Sequence, residues 1–327
     1  MLRNSLFVIA FCGLLASCST KQELEPRETD GVIRLGVSKL LTKAEVNSLA
    51  DLSADGKNIG IYGVQMPNKP ADMNDLSGMG WGNALSMDNV RSTAVSAAGA
   101  ISWNGVYYYP AEPAHYVKFC AYYPYADGSK FSIDAPMAGT APSLRFTLSG
   151  TDDILYAVPV VGRRGEDPVP LVFNHALTQL KFEIEDINEV LKGEKVISIV
   201  LQDANTVSSM NIETGTFGAW SSPAELKVPG IEGKNITFVD RKPLAAGDGI
   251  MLQPGLESFK IRLETSNGVF PDVEIKPTSK INDVAETVFA AGHSYKITLT
   301  FNEHTEMFAS ATVEEWKFGG TGDAIVQ

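Results

Sequence analysis

Apolar and polar residues alternate along most of the chain beyond residue 30. The alternation is clearest in five segments, residues 33–38, 117–123, 180–185, 259–264 and 295–301. A period of two places the apolar side chains of a strand on one face of a sheet and the charged ones on the other. Glycines and prolines, 29 and 17 in number, separate these segments as turns. The pattern therefore predicts an all-β protein of sandwich type, with helical spacing only in short pieces such as residues 42–52.

A cluster of charged residues, glycine and proline at residues 162–170 separates two strand-like segments. Such clusters are typical of the connections between domains. The length of 327 residues is also that of two domains of ordinary size. We therefore predict an N-terminal β-sandwich over residues 31–165 and a C-terminal β-sandwich over residues 169–327.

The first 17 residues have the parts of a secretory signal peptide. Arg3 is followed by an apolar run over residues 6–15 and then by two small residues. The run is too short to span a bilayer permanently. Residues 15–18, Leu-Ala-Ser-Cys, match a bacterial lipobox, which predicts that Cys18 is acylated and anchors the protein stably. The alternative is a plain signal peptide that contains Cys18. The polar residues 18–30 are predicted to form a flexible tether.

The charge balance excludes several kinds of partner. The formal net charge is −12 and the sequence pI is about 4.9. Nucleic-acid binding needs a basic surface, so no nucleic-acid partner is expected. A polybasic membrane-surface role is disfavoured for the same reason. The four histidines are scattered, and we predict no metal site, no cofactor and no enzymatic activity.

Individual residues with reactive side chains have structural interpretations that we favour over catalysis. Cys120 lies in an alternating segment and is predicted to be a small buried hydrophobe, with a nucleophile as the alternative. His175 is predicted to be structural rather than catalytic. The acidic pair Asp152 and Asp153 is interpreted as solvated. The glycine-rich residues 78–82 lack dinucleotide-binding spacing and are interpreted as a flexible loop.

The densest aromatic feature is the run at residues 103–109. Trp103, Tyr107 and Tyr109 would form a surface on which a glycan could stack, because sugars present apolar faces. The favoured alternative is that alternate rings pack into the core while the others cover neighbouring strands.

Several segments, in this order, resemble the fimbrillin-like lipoproteins of Bacteroidetes, the subunits of type V pili. The segments are Leu-Thr-Lys-Ala at 41–44, Tyr-Tyr-Pro at 108–110 leading into Phe-Cys-Ala-Tyr-Tyr-Pro-Tyr at 119–125, Leu-Val-Phe-Asn-His-Ala-Leu-Thr-Gln-Leu-Lys-Phe at 171–182, Ala-Gly-His-Ser-Tyr-Lys-Ile-Thr-Leu at 291–299 and Val-Glu-Glu-Trp at 313–316. The resemblance implies two tandem transthyretin-like β-sandwich domains and a role as a pilus subunit in adhesion. It also implies an outer-membrane lipid anchor at Cys18 and a location at the cell surface.

The resemblance implies a mechanism of assembly as well. In the family, a trypsin-like maturation protease cuts after a basic residue beyond the first strand, which releases the subunit into the fimbrium. The vacated groove is then filled by a strand of another subunit. Here the displaced strand would carry Ile33, Leu35 and Val37. The cleavage position matches Lys43, where the family prefers Arg.

Two other basic residues and one other function stay open. An Arg-specific protease would meet Arg34 or Arg27 instead of Lys43. Residues 324–327 are a candidate donor strand. The alternative function is a monomeric outer-membrane surface lipoprotein that binds a glycan or host ligand through the aromatic run.

Overall fold

The computed structural model describes residues 31–40, 49–73, 75–166, 169–232, 234, 236–238, 242–278, 280–281, 284–303 and 306–314. These residues form 21 strands and one short 3₁₀ helix, Leu49–Gly56. In chain order the strands are β1 (Leu35–Leu40), β2 (Gly60–Met66), β3 (Leu85–Val95), β4 (Ile101–Trp103), β5 (Tyr116–Tyr123), β6 (Phe131–Ile133), β7 (Ser143–Thr147), β8 (Leu155–Ala157), β9 (Val160–Gly162), β10 (Val169–His175), β11 (Thr178–Asp186), β12 (Val196–Asn211), β13 (Ser221–Lys227), β14 (Leu244–Ala245), β15 (Ile250–Leu252), β16 (Phe259–Thr265), β17 (Val269–Ile275), β18 (Lys280–Ile281), β19 (Val284–Ala285), β20 (Ser294–Glu303) and β21 (Glu306–Glu314).

The predicted all-β class is confirmed. Strands β11, β16 and β20 coincide with predicted alternating segments, and their apolar residues are buried while the intervening residues are mostly half-buried or exposed. Alternation produces this result because successive side chains of a strand point to opposite faces. Of the short helical piece predicted at residues 42–52, only its end overlaps the 3₁₀ helix; residues 42–48 lie outside the described residues.

The strands form three larger sheets and one small one. The first sheet has the order β1-β10-β8-β5-β2-β3-β4, with β9 also paired to β5. The second has the order β14-β11-β20-β21, with β15 paired to β11. The third has the order β17-β16-β12-β7-β6, with β13 paired to β12. Strands β18 and β19 pair only with each other among the described residues.

The sheets do not divide where the sequence predicts a boundary. Strand β10 follows residues 162–168 in the chain but pairs with β1 and β8 in the first sheet. Strands β6 and β7 precede the boundary, and β7 pairs with β12 in the third sheet. The charged residues at 163–166 are a turn between β9 and β10, two strands of one sheet. The composition of residues 162–170 indicates a loop, but it does not show which strands pair, because the partners are distant in the chain. The division into two sandwich domains stays a prediction.

Two hydrophobic cores lie on opposite faces of the first sheet. The first core gathers side chains from β1, β2, β3, β4, β5, β8 and β10, from the 3₁₀ helix, and from the segments that precede β1, β2 and β5. The second core is larger and lies between the other face of the first sheet and the second and third sheets. Strands β2 and β5 are therefore buried on both faces, and the one-sided pattern predicted for residues 117–123 is wrong in this respect. The reason is that the second core covers the face that an isolated sandwich would expose.

Candidate functional site: the first strand and its cradle

Residues 31–40 contain β1 and the segment that precedes it, and we call them the first strand; three of its apolar side chains are buried in the first core. The exposed fractions of Ile33 and Leu35 are 1% each, and that of Val37 is 0%. Arg34 and Ser38 alternate with them and are half-buried. The burial follows the period-two pattern of the sequence. Burial of each such aliphatic side chain contributes about 1.5–3 kcal/mol, so the strand adds substantially to the stability of this core.

The backbone of residues 31–40 has partners on both sides. On one side β1 pairs in parallel with β10, from Leu35 opposite Val169 to Leu40 opposite Phe173. On the other side the N–H groups of Ile33 and Val37 donate to the carbonyls of Tyr107 and Gly99, each at 2.8 Å. The N–H of Tyr109 donates to the carbonyl of Gly31 at 2.9 Å. We call β10, residues 99–100 and residues 107–109 the strand cradle.

Glycine is required at one point of the strand cradle. Gly99 has a φ of +88°, and a Cβ there would lie 2.2 Å from the carbonyl oxygen of Val37. A side chain would therefore be strained by the backbone conformation and would also collide with the first strand. The close approach allows the Val37 N–H to reach the Gly99 carbonyl.

The charged turn at residues 163–166 covers the beginning of the first strand. Gly31 has a φ of +76°, and a Cβ there would lie 3.0 Å from Nε of Arg164. The neighbouring Arg163 lies 2.7 Å from the Glu166 carboxylate and 5.4 Å from the centre of the Tyr116 ring. These contacts are at the surface and are worth little individually. The segment that the sequence marks as a linker thus contacts the strand proposed for removal.

The aromatic run is divided between the core and the surface. Tyr109 is buried, packs edge-to-face on Phe119 at 6.0 Å, and its pKa is raised to about 12, mainly by burial. Trp103 and Tyr107 are half-buried against the first core, with their rings 6.3 Å apart. Tyr108 is 57% exposed. The placement agrees with the core-packing alternative for Tyr109 and leaves only parts of Trp103 and Tyr107 accessible to a ligand.

Cys120 is fully buried in the second core, as the sequence predicts for a small hydrophobe. Burial raises the pKa of its thiol to about 12. The thiolate is the reactive form of cysteine, so this environment makes the side chain inert rather than nucleophilic.

The sequence analysis missed a buried polar cluster beside Cys120. Lys118 is 0% exposed, and its ammonium group lies 2.5 Å from the carboxylate of Glu213, which is itself 4% exposed. Trp81, within the loop interpreted as flexible, donates its indole N–H to the same carboxylate and is also buried. The interpretation of residues 78–82 as a flexible loop is therefore wrong, because this loop is held by a buried ion pair. A single lysine between the apolar Val117 and Phe119, on the same face as Cys120, was the available signal.

A second buried pair involves residues that the sequence singled out. His175 Nδ1 lies 2.7 Å from Oδ2 of Asp153, and both side chains are 1% exposed. Asp152 is 7% exposed, accepts a hydrogen bond from Ser149 Oγ at 2.6 Å and contacts Lys130. The interpretation of the acidic pair as solvated is wrong. His175 ends β10 immediately before the chain crosses to β11 of the second sheet, and its structural role stays a prediction.

Other candidate residues lie outside the described residues. These are Cys18, Arg27, Lys43 and the segment 324–327. Within the described part of the chain, no helix has both the length and the apolar character needed to cross a membrane. Among the same residues, no group of three or more His, Cys, Asp or Glu side chains is placed to hold a metal ion.

Solved structures with the same fold come from Bacteroides species. A fimbrial protein from Bacteroides vulgatus aligns with a TM-score of 0.62 and 16% identity, over 87% of this chain and 99% of that one. A candidate cell adhesion protein from Bacteroides uniformis aligns with a TM-score of 0.53 and 19% identity, over 88% of this chain and 100% of that one. At such identities the likeness shows the fold alone. No curated protein matches the chain.

Family membership comes from the sequence match. The model of the fimbrillin-like family matches residues 42–316, which is most of the chain and includes the strand cradle, the second core and the buried ion pair. Because the match covers well over half of the chain, this chain belongs to the fimbrillin-like family.

Proposed function

We propose that the protein is a lipid-anchored fimbrial subunit that supports adhesion and assembles by removal of its first strand and donor-strand exchange. The observation that carries the proposal is the position of residues 31–40. They lie at the start of the described fold, fill the first core, and are paired along both edges. Membership in the fimbrillin-like family supports a structural rather than catalytic role, and a location at the cell surface.

Removal of the strand would expose apolar pockets and unpaired backbone groups that a replacement strand could fill. The pockets of Ile33, Leu35 and Val37 would open, each forfeiting about 1.5–3 kcal/mol of burial. One edge of β10 and the backbone groups of Gly99, Tyr107 and Tyr109 would lose their partners. An extended segment from another subunit with aliphatic residues at alternate positions would recover both contributions. Residues 324–327 remain a candidate donor.

Among the three candidate cleavage positions, the structure favours Lys43 over Arg34. Arg34 is flanked by the buried Ile33 and Leu35, and the Ile33 N–H is hydrogen-bonded to Tyr107. A protease binds its substrate as an extended strand, and this backbone is already engaged. Cleavage after Arg27 would leave the whole strand in place. Cleavage after Lys43 would free the strand and the lipid anchor together.

Limited proteolysis tests this proposal. The chain without residues 1–18 would be treated with limiting trypsin, its new N-terminus sequenced, and the product examined by electron microscopy. We expect a new end at Ala44 together with filaments or detergent-resistant ladders. The matched control Lys43→Gln should keep its first strand and stay monomeric. A product that begins at Ala44, has lost residues 31–43 and still remains monomeric would refute strand exchange.

The lipid anchor needs its own test, because it concerns only Cys18. We expect the protein from cells to partition into the detergent phase of Triton X-114 and to carry acyl chains by mass spectrometry. Cys18→Ala should partition into the aqueous phase. Equal partitioning of the two proteins would contradict the anchor while leaving strand exchange intact.

The second candidate is ligand binding by a monomeric surface lipoprotein. It rests on the half-buried edge-to-face pair of Trp103 and Tyr107 beside the exposed Tyr108. A glycan array probed with the intact protein and with Trp103→Ala measures this directly. Binding that is lost in the variant would support the ligand role, whereas an array without signal would count against it.

A further inference from the structure

A turn of the third sheet reaches across to the first sheet. Residues 212–216 follow β12, and Glu213 is nearly buried at the tip of this turn. One carboxylate oxygen lies 2.5 Å from Lys118 Nζ on β5. The other accepts the backbone N–H of Gly78 at 2.8 Å and the indole N–H of Trp81 at 3.3 Å. The Glu213 side chain, in a turn of the third sheet, is thus bonded to a strand of the first sheet and to the loop that connects β2 and β3 of that sheet.

Lys118 completes the same arrangement from the other direction. Its ammonium group donates to the carbonyls of Leu76, at 3.1 Å, and Met79 as well as to Glu213. An ammonium group has three protons, and all three therefore have acceptors. The Trp81 ring lies 5.0 Å from the ammonium nitrogen, which adds a cation–π contact.

Gly215 supplies a second, independent contact between the same turn and the first sheet. Its φ is +70°, and a Cβ there would lie 2.2 Å from the ring of Tyr156 on β8. The Tyr156 ring occupies the space that any other residue would fill. The turn therefore meets the first sheet at two points, one polar at β5 and one apolar at β8.

A buried ion pair is not explained by stability alone. Removing two charges from water costs about as much as their attraction returns, and apolar replacements of similar size are often neutral or stabilising. A fully bonded polar cluster does, however, define one geometry, because its partners satisfy one another in only one arrangement. An apolar contact would tolerate sliding of the two surfaces.

We propose that Lys118, Glu213 and Gly215 form an orientation latch that fixes the first sheet against the third sheet. The latch sets how the two cores sit together and holds the loop at residues 76–81 in place. It does not depend on strand exchange or on lipidation, and it acts in the intact protein.

The double variant Lys118→Met/Glu213→Leu separates orientation from stability. We expect its thermal midpoint to fall less than that of Lys118→Met alone, because both charges are removed together and neither is left buried without a counterion. Amide hydrogen exchange at residues 76–81 should be at least about tenfold faster, since the loop loses its charged hydrogen bonds. Spin labels on Ser102→Cys and Ser221→Cys, both exposed, should show a broader distance distribution. The chain without residues 1–18 suits the labelling, because the buried Cys120 is then its only other thiol.

Glycine variants provide the matched control. Gly215→Ala and Gly193→Ala both place a side chain at positive φ, but nothing lies within 4 Å of a Cβ at Gly193. We expect Gly215→Ala to broaden the label distances and Gly193→Ala to leave them unchanged. Narrow distances and unchanged exchange in both the double variant and Gly215→Ala would overturn the latch. Unfolding of the double variant would overturn the latch as well, since Lys118 and Glu213 would then be needed for folding rather than for the orientation of the sheets.

Discussion

The two cores of this protein differ in how they are closed. The first core is completed by residues 31–40, a strand at the start of the described fold that has one covalent connection to the rest of the core. The second core is enclosed by the three larger sheets, and the buried pair of Lys118 and Glu213 connects β5 of the first sheet to the turn after β12 of the third. Cutting one peptide bond would separate the first strand, whereas an internal strand is tethered at both ends. In the proposed strand exchange, a strand at the start of the fold can therefore be replaced after one cut, whereas an internal strand stays attached at its other end.

We expect the largest loss of stability from breaking the buried ion pair beside the second core. Lys118→Met leaves the Glu213 carboxylate buried without its counterion, and we expect a loss of about 3–5 kcal/mol in the free energy of unfolding. Urea denaturation measures it. The control is Arg145→Met, which removes an exposed partner of Asp134 and should cost about 0.2–1 kcal/mol. Equal losses in the two variants would show that the buried ion pair contributes no more to stability than an exposed one.

The next effect tests the first core. Leu35→Ala empties a fully buried site and should cost about 2–5 kcal/mol. Leu263→Ala, equally buried in the second core, should cost a similar amount. Amide hydrogen exchange distinguishes them: only Leu35→Ala should speed exchange in β10 while leaving β20 protected. Uniform acceleration in both variants would mean that the cores unfold as one unit.

A smaller effect concerns the strand cradle alone. Gly99→Ala and Gly105→Ala both place alanine at positive φ, which costs about 1–2 kcal/mol. Only Gly99→Ala adds a collision with the Val37 carbonyl, whereas the nearest atom to a Cβ at Gly105 lies at 3.8 Å, an ordinary van der Waals distance. We therefore expect Gly99→Ala to be the more destabilising by thermal unfolding. If the two midpoints fall equally, the first strand can shift to make room, and the cradle is looser than the structure indicates.

The smallest effect on stability comes from Cys120. Burial raises the pKa of its thiol to about 12 from an ordinary value of 9.0, so the folded protein keeps the proton where the unfolded chain loses it. The resulting stability is fully present below about pH 9 and declines as the pH rises towards 12. At pH 8 we expect Ellman's reagent to label the chain without residues 1–18 only after denaturant is added. Rapid labelling of the native protein would contradict the buried placement.

Much of the strand content could be predicted from the sequence, because alternation is a local property. Ile33, Leu35 and Val37, and the alternating residues of β11, β16 and β20, are buried as their spacing predicts. The inertness of Cys120 also followed from its place in such a segment. The burial of Lys118 and Asp153 was not predictable in the same way, because a buried charge needs a partner that is distant in the chain. The partner of Lys118 is Glu213, 95 residues away, and that of Asp153 is His175.

Alternation in the sequence was enough to predict that this chain forms sheets and that the apolar residues of β1, β11, β16 and β20 face inward. Strand pairing could not be predicted in this way, because the hydrogen bonds between β10 and β1, and between β7 and β12, join segments that are distant in the chain. The packing of the sheets also buries β2 and β5 on both faces and anchors a glycine-rich loop through Glu213. Periodicity describes one strand and its two faces, whereas what covers each face is set by the packing of the whole molecule.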